Sequence, residues 1–173
     1  MSFLDLAKRR YSVRKYQEKP VEEDKLSKIL EAGRVAPTAA NKQPQRLVVV
    51  REKEGLAKLK KGANIFGAPL AIIICGEKPA AWVRKYDGKN TLDIDASIVT
   101  TQLMLEATEL GLGTLWVGHF DPVIIHDEFK LPKDVEPINI LAIGYADGEA
   151  ASPDRHATQR KPLEDIVFYE SYR

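Results

Sequence analysis

The sequence predicts an α/β or α+β sandwich built on one central sheet of four or five strands. Three observations predict it. Helix-like and strand-like segments alternate along the chain. The runs "RLVVVRE" (46–52), "PLAIIIC" (69–75), "GTLWVG" (113–118) and "EPINILAIGYA" (136–146) have strand length and are rich in branched apolar residues. A length of 173 residues suits one domain, or one domain with an extra arm, and suffices to bury a core without staples.

The elements follow in order. "SFLDLAKRR" reads as a short opening helix with Ser2 as its cap and Asp5 three residues on. Residues 21–36 form an amphipathic helix. Its acidic first turn suits the helix dipole, Leu26, Ile29, Leu30, Gly33 and Ala36 share one face, and Pro37 ends it. The polar loop "PTAANKQPQ" leads into the first strand, and "KEGLAKLKKGA" (53–63) is the next helix. "PLAIIIC" alternates nowhere, as expected of a strand covered on both faces. Residues 77–92 are irregular, with Trp82 and Tyr86 among charges. The longest helix spans 93–111 and carries no charge from Ala96 to Leu105. Such a helix is expected to be buried nearly all round, with a partner subunit supplying part of the cover. "DPVIIHDEFKL" (121–131) starts a helix with Asp121 as cap and Pro122 at the first position. The segment 147–162 is expected to be polar and extended, and "LEDIVFYE" supplies a last apolar piece.

Composition excludes several classes. The chain is 44% hydrophobic and 29% charged, which argues against wholesale disorder. No apolar run reaches the length of a membrane span, and the first residues lack the order of a secretion signal. Cys75 is the only cysteine, so no internal disulfide is possible and a cytoplasmic location is expected. A formal net charge of +1 disfavours a dedicated nucleic-acid binder. His119, His126 and His156 lack metal-ligand spacing, so no metal is expected.

The charge is unevenly placed. "KRRYSVRKY" (8–16) puts five cations into nine positions, and residues 1–20 carry six Lys/Arg against Asp5 and Glu18. Arg10, Ser12 and Arg14 alternate at spacing two, so an extended segment would turn all three the same way. Two guanidinium groups and a hydroxyl suit a phosphate, since Arg binds it through paired hydrogen bonds. The spacing alone favours a solvated basic face over a ligand site. Arg160, in the distant basic spot "QRKPL", could complete such a site. Thr38, Asn41 and Gln43 make the 37–45 loop a candidate polar-ligand loop, although a plain helix-to-strand connection reads the same way. Gly111, Gly113 and Gly118 bracket a strand. No helix follows them at the right place, which excludes a dinucleotide-binding Rossmann loop.

The ordered set "RRYSVRKY…KPV…KLSKILEAGRVAPTAANKQPQRLVVV", "GLGTLWVGHFD", "EPINILAIGYADGE" and "RKPLEDIV" resembles the FMN-dependent nitroreductase family, in its compact form, over nearly the whole chain. The resemblance implies an α+β fold with a mostly antiparallel sheet, residues 1–173 forming a single FMN-binding domain with extended terminal arms. It also implies an intertwined homodimer with FMN at the interface and NADH or NADPH as reductant. The implied activity is two-electron, ping-pong reduction of nitroaromatics, quinones or similar acceptors. Another flavin-dependent reductase, such as a dehalogenase or enone reductase, and a non-catalytic FMN carrier or sensor stand as alternatives.

By the same resemblance, Arg10, Tyr11 and Ser12 match positions that hold the FMN phosphate and ribityl end, and Arg160 matches a late basic residue on the phosphate. Arg14 matches the basic position near the flavin pyrimidine ring. Pro37, Thr38, Ala39 and Asn41 match a loop that reaches FMN from the partner subunit. Gly118 falls where a backbone N–H approaches flavin N5. No side chain is implied as general acid or base; the Gly118 backbone and Arg14 tune the cofactor. The family commonly has Ser, Gly and Trp where this chain has Thr38, Ala40 and Gln45. Asn64 is the nearest candidate for a pyrimidine-edge amide. Residues 77–92 are the expected lid.

Overall fold

The structure, a computed structural model, describes residues 1–172. Strands β1 (Gln45–Val50), β2 (Leu70–Glu77), β3 (Gly113–Val117) and β4 (Val135–Gly144) form one sheet in the order β1-β2-β4-β3. Every neighbouring pair is antiparallel, which makes the fold α+β. At the centre, Ile73 pairs with Val48 on one side and with Ile140 on the other.

Side chains of β2 alternate between two cores. Ala71, Ile73 and Cys75 join Ile140, Ala142, Leu115 and Val117 on one face. There Leu59 of α3 (Lys53–Gly62) and Ile125 of α5 (Pro122–Glu128) cover them. Leu70, Ile72 and Ile74 join Leu141 and Ile143 on the other face. That face is covered by Leu26 and Ile29 of α2 (Glu23–Arg34) and by Val99 and Leu103 of α4 (Leu92–Glu109). Both faces are therefore occupied, and an uninterrupted apolar run is what such a strand needs. Burial pushes the Cys75 thiol up to about 12, as it does for any thiol denied water in its charged form.

The local signals explain the ends of the elements. In α1 (Phe3–Arg9), the Asp5 N–H donates to Ser2 Oγ and the Ser2 N–H to the Asp5 carboxylate, each at 3.1 Å. Asp121 accepts from the Val123 and Ile124 N–H groups and so starts α5. Among the described residues no helix is long and apolar enough to cross a membrane.

One expectation is corrected. Segment 147–162 is not extended throughout: Pro153–Arg155 form a 3-10 turn that continues into α6 (His156–Gln159). Ser152, accepting from the Asp154 N–H at 3.1 Å, and Pro153 at the first position nucleate it, a cap signal in a stretch too short to show periodicity. Helix α4 is buried on one face only within the chain. Ile94 is 45% exposed, Thr101 is exposed, and Ser97 and Ile98 are half-buried.

Candidate functional site

The cationic segment is held against the end of the sheet by backbone bonds. The Val13 N–H donates to the Thr114 carbonyl (2.9 Å), and Ser12 bridges to Thr114 in parallel register. The Gln17 N–H donates to the Tyr145 carbonyl (2.9 Å). Gly113 permits this approach, because a Cβ there would sit 2.6 Å from Val13 Cγ2. Burial then follows the period of two. Val13 is buried between exposed Ser12 and Arg14, and Tyr11 packs on the core. Burial pushes the Tyr16 hydroxyl well above its ordinary value, and its O–H donates to the Val13 carbonyl at 3.1 Å.

The arginines divide by partner. Arg34 pairs with Glu31, Arg46 with Glu77, Arg51 with Glu23 and Arg84 with Asp87. Arg9 donates to the Met1 sulfur. Arg155 donates to three carbonyls, those of Arg10 (2.6 Å), Ser152 (2.8 Å) and Lys8 (3.1 Å). Among the described residues, the guanidinium groups left without a hydrogen bond or a carboxylate are those of Arg10, Arg14 and Arg160. Arg10 is half-buried. That burial, then the like charges of Arg155 and Arg160, pull its pKa below the ordinary arginine value. Both chain ends thus deliver cations to one place with no anion to balance them. This donor set fits a phosphate, which neutralises the cluster and accepts from several guanidinium groups at once.

Arg155 escaped the sequence reading. It follows the Ser152–Pro153 cap and lies beyond the charge-dense stretch. Together with His156, whose Nε2 lies 3.2 Å from the Lys8 carbonyl, it ties the C-terminal arm to the end of α1.

The 37–43 loop sits elsewhere. The Ala39 N–H donates to Asp95 Oδ1 (2.8 Å), and the Thr91 hydroxyl donates to Asp95 Oδ2 (3.1 Å). Asp95 is 1% exposed, so a buried carboxylate anchors the loop to the start of α4. The Gln43 N–H donates to Thr38 Oγ1 (3.0 Å), and the Asn41 N–H to the Thr38 carbonyl (3.0 Å). Ala40, Asn41 and Gln43 have φ of 49°, 53° and 51°, the left-handed region where a non-glycine residue is strained. Ala40 stands where the family commonly has glycine, and that backbone conformation is the reason glycine suits it.

Tyr11 and Thr108 line one cavity near the other end of α4. Asp95 and Thr108 are thirteen residues apart, about 20 Å at the helical rise. One chain therefore brings Arg10 and Arg160 together and sets Ser12 on Thr114. It leaves Pro37, Thr38, Ala39 and Asn41 at the far end of the helix.

A third feature involves the exit of β3. Gly118 is exposed, and a Cβ there would meet nothing within 4 Å. The chain is then pinned beside the end of α3. Ala63 bridges to Phe120, and the Asp121 N–H donates to the Gly62 carbonyl at 2.8 Å. A cavity of about 610 Å³ opens here, lined by Lys60, Asn64, His119 and Phe120 among others. Asn64 Oδ1 accepts from the Phe66 N–H (2.9 Å). Residues 77–92 form a loop closed by the Val83–Asn90 bridge and the Arg84–Asp87 pair, with Tyr86 fully exposed.

Comparison with known proteins bears on the family and the fold. The sequence profile described as the Nitroreductase family matches residues 7–64 and 56–145. A Methanothermobacter thermautotrophicus protein, provisionally named NADH dehydrogenase/NAD(P)H nitroreductase, is 33% identical over 95% of this chain and 87% of its own. The crystal structure of a nitroreductase family protein from Clostridium difficile is similar at 55% identity and a TM-score of 0.98, covering 99% of this chain and 100% of that one. An FMN-dependent nitroreductase from the same species is 31% identical with a TM-score of 0.80, covering 98% of this chain and 100% of that one. On the family profile, a relative matched along almost its whole length and a shared antiparallel sheet, this chain belongs to the nitroreductase family.

Proposed function

We propose that this chain is an FMN-dependent NAD(P)H oxidoreductase that reduces nitroaromatics, quinones or similar electron-poor acceptors in two-electron, ping-pong fashion. The observation that carries the reading is the convergence of Arg10 and Arg160, unpaired, beside Arg155. When bound, FMN would supply the redox chemistry, a two-electron exchange between NADH or NADPH and the acceptor. The residues of this chain bind and tune. Arg10, Ser12 and Arg160 hold the phosphate and ribityl end, with Tyr11 packed behind them. Arg14 sets a fixed positive charge by the pyrimidine ring, where it favours added electron density. The open Gly118 backbone lets a flat ring approach. No side chain is required as general acid or base.

Residues 1–173 act as one FMN-binding domain whose arms reach a second copy. The separation of the 37–41 loop from Arg10 supports a homodimer in which Pro37, Thr38, Ala39 and Asn41 serve the partner's cofactor. So does the arm itself: Leu163, Ile166, Tyr169 and Tyr172 are all more than half exposed in the single chain. The open face of α4 is the matching surface. A single buried cysteine suits a cytoplasmic location.

The test is direct. The purified protein should be yellow, and NADH or NADPH should bleach it until a nitroaromatic restores the colour. A colourless protein that takes up no FMN refutes the reading. Arg14→Ala should retain flavin and lower its midpoint potential; an unchanged potential in a redox titration removes the role given to Arg14.

A further inference from the structure

We propose that the cavity beside Gly118 selects acceptors bearing an acidic group, with Lys60 and His119 as the specificity-determining residues; this rests on the flavin reading above. The cavity, about 610 Å³, opens to solvent between the end of α3 and the segment after β3. Its polar lining carries one lysine, one histidine and one asparagine beside a single carboxylate, Asp121. Lys60 and His119 are exposed, and neither has a hydrogen bond or ion pair with any described residue. The neighbouring Lys58 and Lys61 do not share this freedom, being paired with Glu54 and Glu128. Asn64 spends its carbonyl oxygen on the Phe66 N–H, which leaves its NH₂ as a donor. The one carboxylate in the lining, Asp121, is committed through Oδ1 to the first two free N–H groups of α5. Phe120 adds an apolar wall. An aromatic ring carrying a carboxylate matches this inventory: the ring lies on the apolar wall and the oxyanion meets Lys60, with His119 as a further donor. His119 directly follows Gly118, so a group bound there lies next to the backbone assigned to the reacting edge.

An anionic reductant offers the same chemistry through its phosphates, so the experiment separates the two. FMN-loaded wild type and the Lys60→Gln/His119→Gln double variant are titrated with 4-nitrobenzoate and with neutral 4-nitrobenzamide, following the absorbance of the bound flavin. In wild type the carboxylate should bind roughly fivefold or more tightly than the amide, the scale of one or two exposed charge contacts. That preference should shrink with added salt and fall to near unity in the double variant. Equal Kd values in wild type, or an unchanged ratio in the variant, overturn the proposal. A variant that loses only a preference for NADPH over NADH overturns it too, and assigns Lys60 and His119 to the reductant's extra phosphate. A wild-type protein that holds no FMN fails at the earlier step, before any ratio is read, and takes both readings with it.

Discussion

The centre of the sheet and the two chain ends solve opposite problems. Along β2 every residue from Leu70 to Gly76 is buried, and both flanking strands complete its hydrogen bonding within the chain. At the ends, Arg10, Arg14 and Arg160 lack anions, and residues 161–172 are exposed throughout, apolar ones included. The first region is finished by folding. The second, on the reading proposed above, is finished by what it binds. Stability and function are thus lodged in different places, and substitutions can be chosen to separate them.

The largest effect belongs to the centre. Ile73→Ala removes a fully buried side chain with neighbours on both strands and should cost about 2–5 kcal/mol in denaturant unfolding. Next comes Arg10→Ala. It should weaken FMN binding by about 1.5–3 kcal/mol, the scale of charged hydrogen bonds, measured by fluorescence titration. The apo protein should unfold no earlier than wild type, because the deleted charge sits among like charges. A marked loss of apo stability in Arg10→Ala would break the contrast, since it would make the cluster part of the folded core.

Asp95→Ala tests the boundary between the two regions. It strands the Ala39 N–H, while the Thr91 hydroxyl keeps the Trp82 carbonyl as acceptor, and should lower stability by about 1–3 kcal/mol. Hydrogen exchange should show faster exchange confined to the 37–43 loop. Ala40→Gly should do the reverse on a smaller scale. Relief of left-handed strain, partly offset by glycine's flexibility, should raise stability by up to about 1 kcal/mol in the same unfolding assay.

The smallest effect is a pH dependence. The Tyr145 hydroxyl, then backbone and Lys19 hydrogen bonds, hold the Glu22 carboxyl at about 2, below its ordinary 4.5. A depressed carboxylate stabilises the fold above the unfolded value, and that contribution is lost as pH falls from 4.5 through about 2. The Tm gap between wild type and Tyr145→Phe should therefore be full above pH 4.5 and close toward pH 2.

Much of this was legible in the sequence because it is written in short-range patterns. The period of two placed Ser12 and Arg14 outward around Val13. The unbroken run at 69–75 announced a strand covered twice. What escaped depends on which distant groups meet. Asp93 and Asp95 both stand in the first turn of α4, and only the returning loop decides that Asp95 is the buried anchor. Nothing in "TAANKQ" signals three left-handed residues. The uncharged stretch of α4 was read as burial shared with a partner subunit, and within one chain Ile94 and Thr101 stand exposed on that helix. Asn64 and His119 lie more than fifty positions apart, and a strand exit joins them.

Cys75 lies sealed in the middle of the sheet, its thiolate form suppressed by the surrounding hydrocarbon. Maleimides and spin labels will pass it by. A new cysteine introduced on the C-terminal arm can then carry a fluorophore or nitroxide without removing the native sulfur. The distance between two such labels will report whether the arms of neighbouring molecules cross.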